Sequence, residues 1–79
     1  MIKVLLFGSF STIAGCREII LGPEACVRAL SDIVALVEEK YLKKKAGTYM
    51  LALNGTQAKP SAIVKDGDEV AIMPPFSGG

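Results

Sequence analysis

The chain has 79 residues, of which 51% are hydrophobic and 22% are charged. This length supplies one small domain, and this composition excludes a disordered chain. Nine basic and eight acidic residues give a net charge of +1, which lacks the basic excess of a nucleic-acid-binding surface. The sequence shows no signal peptide and no run of ~20 apolar residues. We therefore expect a cytoplasmic protein with no nucleic-acid or membrane partner.

The residue types also restrict the chemistry. The sequence contains no histidine and two cysteines, Cys16 and Cys26, which excludes the usual Cys/His zinc sites and the histidine-dependent catalytic pairs. Thiols stay reduced in the cytosol, so both cysteines are predicted to be packing residues without a disulfide. We expect no catalytic side chain, no bound metal or cofactor, and no enzymatic activity of this chain by itself.

The first third of the chain predicts two paired strands. Residues 2–7 have apolar side chains on both faces, which indicates a central strand. Between them and the next strand, Ser9 could cap a short helical turn that Gly15 ends. Residues 17–21 predict a second strand, and the short connection favours a hairpin-like return beside the first.

The clearest helix comes next. Two starts are possible: Pro23 could lie in the first turn, or the helix could begin near Cys26. Its length is about four turns. Arg28 and Asp32 form an opposite-charge pair four residues apart. The apolar side recurs at 3.6-residue spacing: Val27, Leu30, Ile33, Val34, Val37 and Tyr41. The lysines beyond it are interpreted as a solvated helix end: Lys40, Lys43, Lys44 and Lys45.

The last third predicts three strands. Residues 49–53 and 56–59 flank Asn54-Gly55, the strongest short signal for a hairpin. A second tight turn at 66–68 precedes a strand at 69–73. The order is therefore β-β-α-β-β-β, an α+β class in which one helix covers one face of a sheet. Residues 1–79 form a single domain, with 74–79 as an extended tail.

The tail carries the candidate functional group. Two prolines after the last strand prevent further sheet pairing and favour a stiff, extended neck. The terminal Gly78-Gly79 can enter a channel too narrow for any Cβ, which leaves the Gly79 carboxylate as the reactive group at the tip. A carboxylate reacts with nucleophiles only after activation, for example as an acyl adenylate made by a partner with ATP. A frayed terminus with an idle tail is the alternative.

Four segments resemble one known family. They are residues 1–7, residues 26–30, the Asn54 turn, and residues 66–71 leading to Pro-Pro-Phe-Ser-Gly-Gly at 74–79. The chain resembles the small subunit of molybdopterin synthase, related to ubiquitin and to the thiamine sulfur carrier, over essentially its whole length. The resemblance implies a β-grasp fold: a mixed sheet packed on one main helix, with a flexible Gly-Gly tail.

The resemblance also implies a mechanism and its partners. A ubiquitin-activating-type adenylyltransferase would adenylate Gly79 with ATP, and a sulfurtransferase would supply the sulfur of a thiocarboxylate. Ser77 and Gly78 would insert into the large synthase subunit, where the sulfur passes to cyclic pyranopterin monophosphate. Pro75 and Phe76 would contribute to docking, although Phe76 could instead pack on the sheet edge.

The chain departs from the family's sequence pattern in two places, and two alternative functions stay open. The family commonly has threonine where this chain has Cys26, a weaker cap, so the helix start is expected to fray, and the helix region ends in a lysine-rich stretch at 43–45. Carriers for thiamine, cysteine or tRNA thiolation, and ubiquitin-like protein modifiers, share the fold and the Gly-Gly end. The two prolines favour the molybdopterin branch.

Overall fold

A computed structural model describes residues 1–75. Five strands, two α-helices and two irregular helical turns follow one another: β1 (Ile2–Leu6), α1 (Ser9–Ala14), β2 (Glu18–Leu21), a 3-10 turn (Pro23–Ala25), α2 (Leu30–Val37), a π-helical turn (Glu38–Leu42), β3 (Met50–Leu53), β4 (Thr56–Ala58) and β5 (Glu69–Met73). The predicted order of strands and main helix is confirmed. The helix α1 is the short helical segment predicted between the first two strands.

The strands form one mixed sheet in the order β2-β1-β5-β3-β4. Strand β1 pairs antiparallel with β2 and parallel with β5, so it lies inside the sheet as its two apolar faces predicted. Strand β3 pairs antiparallel with β5 and β4. Asn54 and Gly55 join β3 to β4 with φ of 52° and 85°, the positive values that a two-residue hairpin requires.

The hydrophobic core lies between one sheet face and α2. Alternate residues of β1 and β5 point into it, among them Val4 and Val70, which are fully buried. From α2 come Leu30, Ile33, Val34 and Val37, all buried as the helical spacing predicted. Phe10 of α1 is also buried in this core. The opposite face of the sheet carries no helix in residues 1–75.

The predicted start of the main helix is wrong. Pro23 opens a separate 3-10 turn, which ends at Cys26 in a left-handed conformation with φ of 54°. The chain then runs extended, and Ala29 makes a β-bridge with Ile63 before α2 begins at Leu30. A periodicity of apolar residues cannot show this break, because Val27 is half-buried in the extended segment as it would be on the helix.

The predicted caps also differ from the observed ones. Asp32 does not form a helical pair with Arg28: its Oδ2 accepts the backbone N–H groups of Ala29 at 3.0 Å and Arg28 at 2.9 Å. The hydrogen bond from Ala29, and then that from Arg28, lowers the pKa of Asp32. Gly8, not Ser9, is the N-cap of α1, whereas Gly15 ends that helix as predicted.

The two cysteines differ in environment. Cys16 is half-buried against the core and fits its predicted packing role. Cys26 is exposed and free, and its Sγ lies 3.7 Å from the carbonyl oxygen of Pro23. It is therefore neither a packing residue nor the cap of α2, and the expected fraying at a cysteine cap does not apply.

Candidate functional site

The tail leaves the sheet beside the end of β1. Because β1 and β5 are parallel, with Leu6 opposite Ile72, their carboxyl ends lie side by side. The N–H of Phe7 extends this pairing by donating to the Ile72 carbonyl at 3.1 Å. The turn after β1 and the prolines after β5 therefore share one end of the sheet, which we call the tail end.

At the tail end, Pro74 passes closely over Gly8. A Cβ placed on Gly8 would lie 2.9 Å from Pro74 Cγ and 3.3 Å from its Cδ. Both Pro74 and Pro75 are half-buried, and neither has an N–H to continue the sheet. Strand β5 accordingly ends at Met73, as predicted.

The other predicted site residues lie outside the described part of the chain. These are Phe76, Ser77, Gly78 and Gly79. Their roles in docking, insertion and covalent modification therefore stay predictions, as does the choice between the two positions proposed for the Phe76 ring.

The uncovered sheet face is apolar where it approaches the tail. Strand pairing places Leu5 opposite Ala71, Ala71 opposite Ala52, and Met50 opposite Met73. Phe7 follows in the same alternation and is 46% exposed. We call this set the open-face patch: Leu5, Phe7, Met50, Ala52, Ala71 and Met73. A contiguous apolar surface of this kind is typical of a protein-binding site.

Charged residues on the same face lie toward its other end. Lys3 of β1 stands opposite Glu69 of β5, at the start of both strands. Beyond them, the side-chain amide of Asn54 donates to Asp68 Oδ1 at 3.0 Å. The N–H of Lys65 donates to Asp68 Oδ2 at 2.8 Å. The bond from Asn54, and then that from Lys65, lowers the pKa of Asp68. We call this side, with residues 65–68 and the Asn54 turn, the turn end.

Sequence reasoning missed two structural roles here. Asn54 was recognised only as a turn residue, yet its Oδ1 also accepts the N–H of Glu69 at 2.9 Å and so ties the hairpin to β5. Gly8 directly follows the strand predicted at 2–7, and no sequence signal points to its contact with Pro74.

Two further findings concern the described residues as a whole. Within residues 1–75, no helix is long and apolar enough to cross a membrane. The same part of the chain brings together no group of three or more acidic, cysteine or histidine side chains that would hold a metal ion.

The fold and its relatives define a class. A sheet in this order over one main helix is the architecture of ubiquitin-like β-grasp proteins. The small archaeal modifier protein 1 of Methanosarcina acetivorans superposes with a TM-score of 0.79 at 26% identity, covering 99% of this chain and 95% of that one. A chain from the complex of subunits 1 and 2 of the molybdopterin-converting factor of Helicobacter pylori superposes with a TM-score of 0.68 at 26% identity. The match covers 99% of this chain and 97% of that one.

Within that class, sequence similarity identifies the family. The ThiS family model matches residues 4–79. The molybdopterin synthase sulfur carrier subunit of Chlamydomonas reinhardtii is 40% identical over 83 residues, covering 99% of this chain and 98% of the relative. The chain belongs to the ThiS family, and its resemblance to molybdopterin synthase small subunits is confirmed.

Proposed function

We propose that this chain carries sulfur on the carboxyl group of Gly79 for the synthesis of molybdopterin. The observation that carries the proposal is the tail end itself. The strand β5 runs directly into Pro74 and Pro75 beside an uncovered apolar face, and the sequence continues through Phe76 and Ser77 to Gly78-Gly79. A partner that binds the open-face patch would therefore lie next to the emerging tail.

The chemistry needs no catalytic side chain from the carrier. Attack of the Gly79 carboxylate on ATP forms an acyl adenylate and releases pyrophosphate. A sulfide equivalent, supplied by a sulfurtransferase, then attacks the carbonyl carbon, so that a C–S bond forms and the C–O bond to AMP breaks. In the large subunit, the thiocarboxylate sulfur attacks a carbon of cyclic pyranopterin monophosphate and displaces an oxygen substituent. Water then cleaves the C–S bond to the carrier, which leaves the sulfur on the pterin and regenerates the Gly79 carboxylate, so one loaded carrier is used for each dithiolene sulfur.

Docking and chemistry are assigned to different parts of the carrier. The open-face patch, with Phe76 and Pro75, would bind the adenylyltransferase and the large subunit in turn. Ser77 and Gly78 would pass through the active-site channel of each, where the absence of a Cβ on glycine permits a narrow fit. The two partners would share one surface and could not bind at the same time, so the carrier would leave one partner before it binds the other.

The test is the mass of the full chain after incubation with its host's adenylyltransferase, ATP and a sulfide donor. We expect an increase equal to the mass difference between sulfur and oxygen, located at Gly79. The matched control replaces Cys16 and Cys26 with serine and should load equally, since neither thiol carries the transferred sulfur. A wild-type chain that never gains sulfur at its C-terminus would overturn the proposal.

A second candidate is a protein modifier joined through Gly79 to lysine side chains. The likeness to a protein named as a small archaeal modifier favours it. Both functions need activated Gly79, but only a modifier leaves covalent conjugates of higher mass on a denaturing gel. Immunoblots of host extract with an antibody to this chain separate the two, because a pure sulfur carrier gives a single band.

A further inference from the structure

One close contact lies where the chain leaves β5. Pro74 is the first residue beyond β5, and its Cγ and Cδ are the atoms that a Cβ on Gly8, in the turn between β1 and α1, would meet. We propose that Gly8 is a positioning residue for the C-terminal carboxyl group: its missing side chain lets the Pro74 ring lie against the turn, and this contact aims the tail. The inference rests on the proposed function.

The space at this contact is too small for any side chain. A Cβ on Gly8 would lie 2.9 Å from Pro74 Cγ, whereas non-bonded carbons prefer about 3.5–4.0 Å. Gly8 also has φ of 57° and ψ of −134°, a region that L-residues with side chains rarely enter. Both the contact and the backbone therefore require glycine.

The turn is held more firmly than the proline. The Gly8 carbonyl accepts the Ser11 hydroxyl at 2.8 Å and the Thr12 N–H at 3.3 Å, and the Phe7 carbonyl accepts the N–H of Phe10 at 3.2 Å. Phe10 is itself buried in the core. Pro74 has no N–H to fix it to a neighbouring strand. A side chain at position 8 would therefore displace the neck before it displaced the turn.

A displaced neck matters because the carrier is held at two points. The open-face patch binds the partner, and the carboxyl group must reach a fixed atom in the partner's active site. A misplacement of 1 Å is enough to lower the rate of such a step by about 100-fold. The junction at Pro74 connects the two points, so its position affects catalysis more than docking.

The experiment measures adenylation of the full chain by its host's adenylyltransferase, as pyrophosphate release, for the wild type and Gly8→Ala. We expect kcat to fall by about tenfold or more, and by a larger factor than KM for the carrier rises, since the open-face patch stays in place while Pro75 and Phe76 move with the neck. The control is Gly15→Ala, at the other end of α1. Gly15 also has a positive φ, of 78°, but no atom lies within 4 Å of its Cβ position, so its kcat should match the wild type.

A second variant separates the contact from backbone strain. Pro74→Ala removes Cγ and Cδ, the two atoms that approach Gly8, so Gly8→Ala should have no further effect on kcat in a Pro74→Ala chain. If Gly8→Ala alone does not fold, Pro74→Ala tests the contact with glycine still at position 8, and its kcat should also fall. Wild-type kcat in Gly8→Ala, or a double variant with a lower kcat than Pro74→Ala, would overturn the positioning role. Failure of the proposed function would show earlier, as a wild-type chain that is not adenylated at all.

Discussion

The two ends of the sheet are built from different interactions. At the turn end, backbone and side-chain groups bond one another across three segments: Asn54 with Asp68 and Glu69, Lys65 with Asp68, Gly67 with the Met1 carbonyl, and Lys3 with the Asp68 carbonyl. The Met1 ammonium also pairs with Asp66. At the tail end, two prolines without N–H groups lie beside exposed apolar side chains.

This difference divides stability from function. Hydrogen bonds that join sequence-distant segments hold the sheet in register, and the turn end supplies them. Within residues 1–75, the tail end leaves an apolar surface uncovered, and the proposed function assigns partner binding to it. Substitutions at the turn end should thus change unfolding more than sulfur loading, and those at the tail end should do the reverse.

The largest expected effect is from adding one residue after Gly79. Activation acts on one carboxyl carbon, which the extra residue moves by up to about 3.5 Å, so loading should fall by more than about 100-fold. The melting temperature should stay at the wild-type value, since residues 1–75 form the whole described core. Intact mass spectrometry and thermal unfolding measure the two quantities.

Removal of the added residue by a carboxypeptidase provides the control for this extension. Trimming regenerates Gly79, and loading should return with it. Sulfur found on the extended chain, with its extra residue still in place, would contradict the assignment of the chemistry to the Gly79 carboxyl carbon.

The next effect tests the open-face patch. Phe7→Ala should weaken binding to the large subunit by about 10- to 30-fold, because exposed aromatic residues near the centre of an interface contribute most of its affinity. Ile20→Ala is the matched control: Ile20 is 48% exposed and Phe7 46%, but Ile20 lies on edge strand β2, opposite Lys3. Titration calorimetry with the purified large subunit gives both affinities.

Equal losses for Phe7→Ala and Ile20→Ala would show that binding does not distinguish the two ends of the open face. Phe76→Ala, measured in the same titration, tests the anchor that the sequence predicted in the tail. If its affinity is unchanged with both the large subunit and the adenylyltransferase, Phe76 is a packing residue.

A smaller effect on stability is expected at the turn end. Asn54→Gly keeps the positive φ of this position but removes the amide that bonds Asp68 and Glu69. The free energy of unfolding should fall by about 1–2 kcal/mol, the net value of two hydrogen bonds, while loading at Gly79 stays unchanged. Urea unfolding measures the free energy of unfolding, and intact mass spectrometry measures the loading. Equal stability of variant and wild type would show that the Asn54 amide does not hold the turn end.

The sequence predicted most of the fold because its signals are local. Alternating apolar residues, the Asn54-Gly55 turn and the prolines after β5 each depend on neighbouring residues, and each is confirmed. The start of α2 could not be predicted in the same way. It depends on the bridge between Ala29 and Ile63, which brings together segments that periodicity treats separately.

The same distinction applies to the site. The family resemblance and the Gly-Gly end were visible in the sequence, because both consist of consecutive residues. The contact between Gly8 and Pro74 exists only because β1 and β5 are parallel neighbours. No pattern in either segment alone indicates it, and the same is true of the Asn54 amide bonded to Asp68 across 14 residues of sequence.

The smallest expected effect is the acid sensitivity of the turn end. Hydrogen bonds from the Asn54 amide and then the Lys65 N–H lower the pKa of Asp68 in the folded protein. A lowered folded pKa stabilises the protein above the ordinary carboxyl pKa of about 3.9, and this contribution is lost as pH falls through the folded value. Asp68→Asn cannot take up this proton. Its urea midpoint should therefore drop less than that of the wild type between neutral pH and about pH 3.

Asp32 sharpens this last measurement, because its pKa is lowered in the same direction by the backbone N–H groups before α2. Asp32→Asn should flatten the acid dependence in the same way, and the double variant should flatten it further, since the two carboxylates share no hydrogen-bond partner and distant sites add. An Asp68→Asn chain with the same pH dependence as the wild type would show that these hydrogen bonds at the turn end contribute no pH-dependent stability.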